Sequence, residues 1–208
     1  MSDALRNAIA EQQLLTLSNS FNNVTELRKA DGTVRHKCFL SYHHDDAAEV
    51  AEFVAKFGDV FIPKVIGASE EFDDFIDSEN DAYVMDAIRE RYLTDSTVTI
   101  VFVGRCTSTR KFIDWEIYSS LRNDSKNKRN GVMAIQLPSN SGSAALPARF
   151  ALNRGKPDTE TYSRYWAYPS SASSLQSLIE DAFDSRVSRA AWVKLGGERR
   201  KYNSTCIN

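Results

Sequence analysis

At 208 residues, with 42% apolar and 26% charged side chains, the chain has the make-up of one globular domain carrying an appendage, which excludes a disordered or fibrous protein. Its formal net charge of −2 offers no general attraction to nucleic acid or an anionic membrane, and the basic clusters Lys126–Arg129 and Arg199–Lys201 are short enough to be a solvated turn and tail. No apolar run approaches the ~20 residues that span a bilayer, and the start Met-Ser-Asp-Ala-Leu-Arg lacks the features of a secretory signal, so a cytoplasmic chain without nucleic-acid or membrane partners is expected.

In chain order, residues 1–36 form a helical extension. Ala4, Leu5, Ile9, Leu14, Leu15 and Leu17 give one helix a moderate apolar face, Ser18–Asn23 interrupts it, and a second short helical piece precedes the turn signal Asp31-Gly32. The main domain, 37–190, opens with a buried strand over 37–42. Asp45-Asp46 then caps a helix whose apolar positions are Val50, Phe53, Val54 and Phe57. Val60–Ile66 is a second strand, and Pro63 assigns it to a sheet edge or a bulge. An acidic loop over 69–81, in which Phe72 and Phe75 need a buried environment, leads to a helix over 82–93. Val98–Val103 is the most apolar strand, 112–121 a helix facing inward through Ile113, Ile117 and Leu121, and 132–137 a fourth strand. A long Pro/Ser/Gly/Asn loop over 138–161 precedes a short fifth strand at 165–168 and a helix over 174–187, and the tail 191–208 is expected to be loosely held. Strands and helices alternating at this spacing specify an α/β fold of flavodoxin-like type: a central five-stranded parallel sheet with helices on both faces.

Cys38, Cys106 and Cys206 form neither a CxxC nor a metal-ligand spacing. Cys38 belongs to an apolar strand and packs there. Cys106 has no neighbouring His or Lys to make a thiolate. The segment 99–121 carries the most information. An apolar β-branched run ends at Gly104, a Thr/Ser loop follows, and the next helix carries one carboxylate, Glu116, near the carboxyl end of a strand, where open α/β sheets bind ligands. A lone carboxylate there suits cleavage of a ribose from a positively charged leaving base, because such a base departs neutral and needs no acid.

Phe39-Leu40-Ser41-Tyr42 resembles the first box of Toll/interleukin-1 receptor (TIR) domains. Gly104, the Thr107-Ser108 loop and Trp115-Glu116-Ile117 resemble the bacterial TIR-like branch, and in closer detail the TIR-like proteins of Thoeris anti-phage systems. The resemblance covers residues 37–190 and implies a TIR-like fold and an NAD+ nucleosidase or ADP-ribosyl cyclase that acts on infection. It further implies a diffusible nucleotide product that switches on a separate effector protein, a phage-derived trigger, and self-association. NAD+ would be the substrate, with no cofactor and no metal. One departure is that many NAD-cleaving TIR domains have Trp four residues before the glutamate, and this chain has Phe112 there.

On this resemblance Glu116 is the catalytic residue: it holds the ribose hydroxyls and sets negative charge against the developing oxocarbenium ion. One carboxylate suffices, unlike the pair that glycosidases use. Ser41, Tyr42 and His43 form one wall of the substrate site. Arg105, and also Arg110, address phosphate. Thr107 leads into a helix N-terminus that seats the diphosphate, and Phe112 and Trp115 line the pocket. Adjacent histidines on a strand point opposite ways, so His43 and His44 are not expected to share a metal. The alternative is a non-enzymatic TIR-like interaction module that binds a partner through the acidic loop and N-terminal helix. A third possibility is a flavodoxin-like response module that binds a nucleotide without turnover. A nicotinamide-linked dehydrogenase is not favoured, since no G-x-G-x-x-G follows any strand.

Overall fold

A computed structural model describes residues 2–20, 32–66, 83, 93–125, 128–140, 142, 145–155 and 160–206. The expected acidic loop over 69–81, the helical piece before residue 31, and all of the expected 82–93 helix but Tyr83 and Leu93 lie outside the described residues. The elements are α1 (Asp3–Ser20), β1 (Lys37–Ser41), α2 (Ala47–Phe57), β2 (Ile62–Lys64), β3 (Val98–Val103), α3 (Lys111–Leu121), β4 (Gly131–Gln136), α4 (Ala148–Asn153), β5 (Arg164–Trp166) and α5 (Ala172–Ser188), with 3-10 turns at His44–Asp46, Thr107–Thr109 and Ala190–Trp192.

All five strands are parallel, in the order β2-β1-β3-β4-β5. The five-stranded parallel α/β sheet expected from the sequence is therefore present. The two-residue side-chain period divides the central strands β3 and β4 between two cores. Cys38, Leu40, Ile100, Phe102, Met133 and Ile135 pack on one face with Val50, Phe53, Val54 and Phe57 of α2 and Leu175 and Ile179 of α5. Val101, Val103, Val132 and Ala134 pack on the other with Ile113, Ile117 and Leu121 of α3. All six β3 side chains are buried, as befits the middle strand of a sheet covered on both faces. Pro63 lies on the edge strand β2, where its missing N–H interrupts no interior ladder.

Three expectations are corrected. The apolar face of α1 is narrower than predicted: Ala10, Leu14 and Ser18, one stripe at spacing four, are buried, while Leu5 and Ile9 are 51% and 42% exposed. Ser18 Oγ accepts the Val65 N–H at 3.2 Å, and Asn7 Oδ1 accepts the Ala48 N–H at 3.0 Å, so α1 is bonded to the domain at both ends. Next, the loop over 138–161 contains α4, which follows Pro147 and buries Phe150 in the second core. Finally, the tail is firmly held. Lys194 exchanges two hydrogen bonds with Asn153, Gly196 turns at φ +76° against Leu152 and Arg149, and Cys206 forms a disulfide with Cys106.

Candidate active site

Glu116 lies on the second turn of α3. Its neighbours Ile113 and Ile117 anchor the helix in the core and turn the carboxyl group toward the end of β1. There Ser41, the last residue of β1, donates a hydrogen bond from Oγ to Glu116 Oε2 at 2.6 Å. The side chain is buried, and burial pushes its pKa up to about 8 against the smaller opposing pull of the Ser41 bond. At neutral pH the isolated group carries its proton, and a cation placed beside it would favour the carboxylate. Tyr42, half-buried on the first-core face, has its hydroxyl pKa raised by burial, with the Glu11 and Glu116 charges adding to the effect.

His43 follows as the chain leaves the sheet. Its Nδ1 accepts the Asp45 N–H at 3.1 Å, so in the neutral ring the proton sits on Nε2. Burial first, then the His44 and Arg110 charges, lower its pKa to about 4, and the buried Nε2 has no hydrogen-bond partner among the described residues. The two histidines do not diverge as expected, because β1 ends at Ser41 and the chain enters a 3-10 turn; their rings stack at 4.2 Å. Ligating atoms of His43, His44 and Asp45 come within 4.8 Å of one another.

Asp46 is a residue that the sequence misassigns. It makes no helix-capping bond; the side-chain cap of this turn is His43. Its carboxylate lies against Gly104 at the end of β3, where any Cβ would overlap it. Burial, with Glu49 and Asp45 close by, raises its pKa to about 7, against the Thr107 hydroxyl and Arg105. Gly104 directly after the strand was the available signal, since a glycine there permits close approach of another group. Asp46, His43, Arg105 and Cys106 line a cleft of about 510 Å³, closed on one side by Arg6 and Asn7 of α1.

The remaining predicted site residues separate. Thr107 is fully buried, and its hydroxyl accepts from the Gly104 N–H and donates to the Phe102 carbonyl, which folds the loop. Phe112 packs edge-on to Trp115 at 5.5 Å, with Lys111 Nζ over both rings. Trp115 is buried with its Nε1–H on the Arg200 carbonyl of the tail at 2.8 Å, so the structure does not gather it with Ser41 and Glu116. The expected phosphate seat also differs. Thr107–Thr109 is a separate 3-10 turn, α3 begins at Lys111, and the Lys111 N–H is taken by Asn203 Oδ1 at 2.9 Å.

The sequence profile of the family described as Thoeris protein ThsB, TIR-like domain, matches residues 39–142, from β1 through β4 and including both Ser41 and Glu116. The chain belongs to this family. No curated protein matches it. The Thoeris TIR-like match spans the Ser41–Glu116 pair, Asp46 and Gly104; α1, α5 and the tail lie outside it. Among the described residues no helix is long and apolar enough to cross a membrane.

Proposed function

We propose that this Thoeris TIR-like protein is a cytoplasmic NAD+ nucleosidase and ADP-ribosyl cyclase, with Glu116 as its essential carboxylate. The observation that carries the reading is the Glu116 carboxyl group, buried at the carboxyl end of β1 and hydrogen-bonded to Ser41. In NAD+ the nicotinamide is a pyridinium. When the C1′–N bond breaks, its electron pair goes to nitrogen, nicotinamide departs neutral, and positive charge develops on the ribose. A cationic ring beside Glu116 favours the ionised form and lowers a pKa that burial alone has raised. The carboxylate then faces the developing oxocarbenium ion in a site where water screens little. Trapping by water gives ADP-ribose and a proton; trapping by a nucleophile of the same nucleotide gives a cyclic isomer. Ser41 orients the carboxyl group, His43 presents an N–H with no acceptor among the described residues, and Arg105 addresses phosphate.

The nucleotide product would diffuse to a separate effector, and a phage-derived component would trigger its synthesis, with self-association contributing to the active state. The test compares wild type with Glu116→Gln, each expressed with its neighbouring genes and challenged with phage, by measuring NAD+ and ADP-ribose nucleotides in lysates. A new nucleotide in infected wild-type cells alone supports the reading. Equal profiles with phage protection intact would refute it.

A further inference from the structure

We propose that the Cys106–Cys206 bridge is a thiol-exchange site that governs how firmly the carboxy-terminal strap holds the helix carrying Glu116. The bridge joins residues 100 apart: the loop between β3 and α3, and the strap that crosses the outside of α3. Between these points the strap contacts the first turns of α3 in order. Arg200 N–H donates to Asp114 Oδ2 at 3.0 Å, and the Arg200 carbonyl accepts the Trp115 Nε1–H. Asn203 Oδ1 accepts the Lys111 N–H, while Ser204 N–H and Arg200 Nη1 donate to the Thr109 carbonyl at 2.9 and 3.0 Å. Three of these contacts fall on residues 111, 114 and 115. They tie α3 to the strap within two turns of Glu116.

Both cysteines are half-buried, and Cys106 lines the cleft, so a small dithiol can reach the bridge. Cys38, by contrast, is fully buried and unpaired. Where disulfides form in reducing compartments they turn over and act as sensors. The exchange balances with a dithiol as co-reactant. One thiolate of the reductant attacks a bridge sulfur, forms a mixed disulfide and expels the other cysteine as a thiolate. The second thiol of the reductant then closes its own disulfide and frees the remaining cysteine. Two electrons and two protons pass to Cys106 and Cys206. Without the covalent tie, the strap's non-covalent contacts (its hydrogen bonds and Arg199 over the Trp115 and Tyr118 rings) oppose its release, and release uncovers the Lys111 N–H and the Trp115 indole.

The test uses the full chain without substrate, so it stands or falls independently of NAD+ cleavage. Protein folded with the bridge intact is compared before and after dithiothreitol. Alkylation mass spectrometry counts thiols, and hydrogen exchange follows residues 109–116 and 198–206. One alkylated cysteine under denaturing conditions before reduction and three after, with exchange at least tenfold faster in both segments and unchanged in β3 and β4, is the expected result. Cys206→Ser should match the reduced protein, and Cys38→Ser should still switch. Because reduction follows folding, a variant that fails to fold does not prevent the test. A bridge that oxidised dithiothreitol cannot form, or exchange equal in both states, overturns the proposal. Faster exchange in the strap with residues 109–116 unchanged overturns the coupling to α3.

Discussion

Replacing Glu116 by Gln should stabilise the folded protein by an amount that grows with pH. The carboxyl pKa is about 8 in the fold, raised from 4.5, so between these values the folded state holds a proton that the unfolded chain has released. A raised acid pKa makes stability fall as pH rises from the unfolded value, with the loss levelling off above the folded value. At ~1.4 kcal/mol for each pH unit, a single such group costs the wild type about 3–4 kcal/mol between pH 5 and pH 8. Glutamine keeps a hydrogen-bonding partner for Ser41 and has no proton to release, so it escapes this cost. For a chain of this length the gain corresponds to a melting-temperature difference on the order of 10 °C at pH 8, shrinking to one or two degrees at about pH 5. Urea unfolding of both proteins across pH 5–8 measures it directly. A stability difference that stays constant over that range would show that Glu116 is ionised in the fold and would remove the burial reasoning. Loss of NAD+ turnover in the same, more stable variant would separate the role of the carboxylate from any folding defect.

Gly104→Ala should cost about 1–3 kcal/mol, because its Cβ overlaps the Asp46 carboxylate, and Asp46→Ala should restore most of that. A double-mutant cycle by chemical denaturation checks this, and strict additivity would refute it. Arg149→Ala should lower stability by about 3–5 kcal/mol, since it leaves the buried Asp114 carboxylate without its two-bond guanidinium partner. A loss below about 1 kcal/mol would place that pair among weak surface bridges. His43, neutral in the fold down to about pH 4, should make the protein lose stability as pH falls from 6.5 toward 4, where the unfolded chain takes up a proton that the folded ring refuses. His43→Gln should flatten that acid limb in calorimetric scans, and an unchanged slope would contradict the assignment.

What the sequence reveals depends on how far apart the interacting residues lie. β3 is legible to the residue because burial on both faces leaves an unbroken apolar run, and α3 because Ile113, Ile117 and Leu121 repeat at helical spacing. The fold class follows from such local patterns repeated along the chain. Ser41 and Glu116 are each identifiable from short motifs, but their hydrogen bond requires β1 and α3 to meet across 75 residues. Asp46 looks like a helix cap by every local rule; only the arrival of β3 beside it turns it into a cleft residue opposite Gly104. The Trp115 indole is tied to the tail for the same reason. Its indole partner is 85 positions away, in a tail whose composition resembles a solvated end. α4 is hidden by the Pro, Gly and Asn residues around its six-residue span.

The Asn7 bond to Ala48 has a practical consequence for how this protein is dissected. A truncation that begins at residue 37, where the first strand starts, removes the acceptor of an α2 backbone N–H, the Ser18 hydroxyl beneath Val65, and the Arg6 and Asn7 wall of the cleft. Such a fragment would behave as a wounded domain rather than as one released from a regulatory arm. Any activity it lost or gained would report on a rebuilt cleft. Point substitutions on the solvent side of α1, at Leu5 or Ile9, leave that wall standing and give the cleaner experiment on what the first helix does.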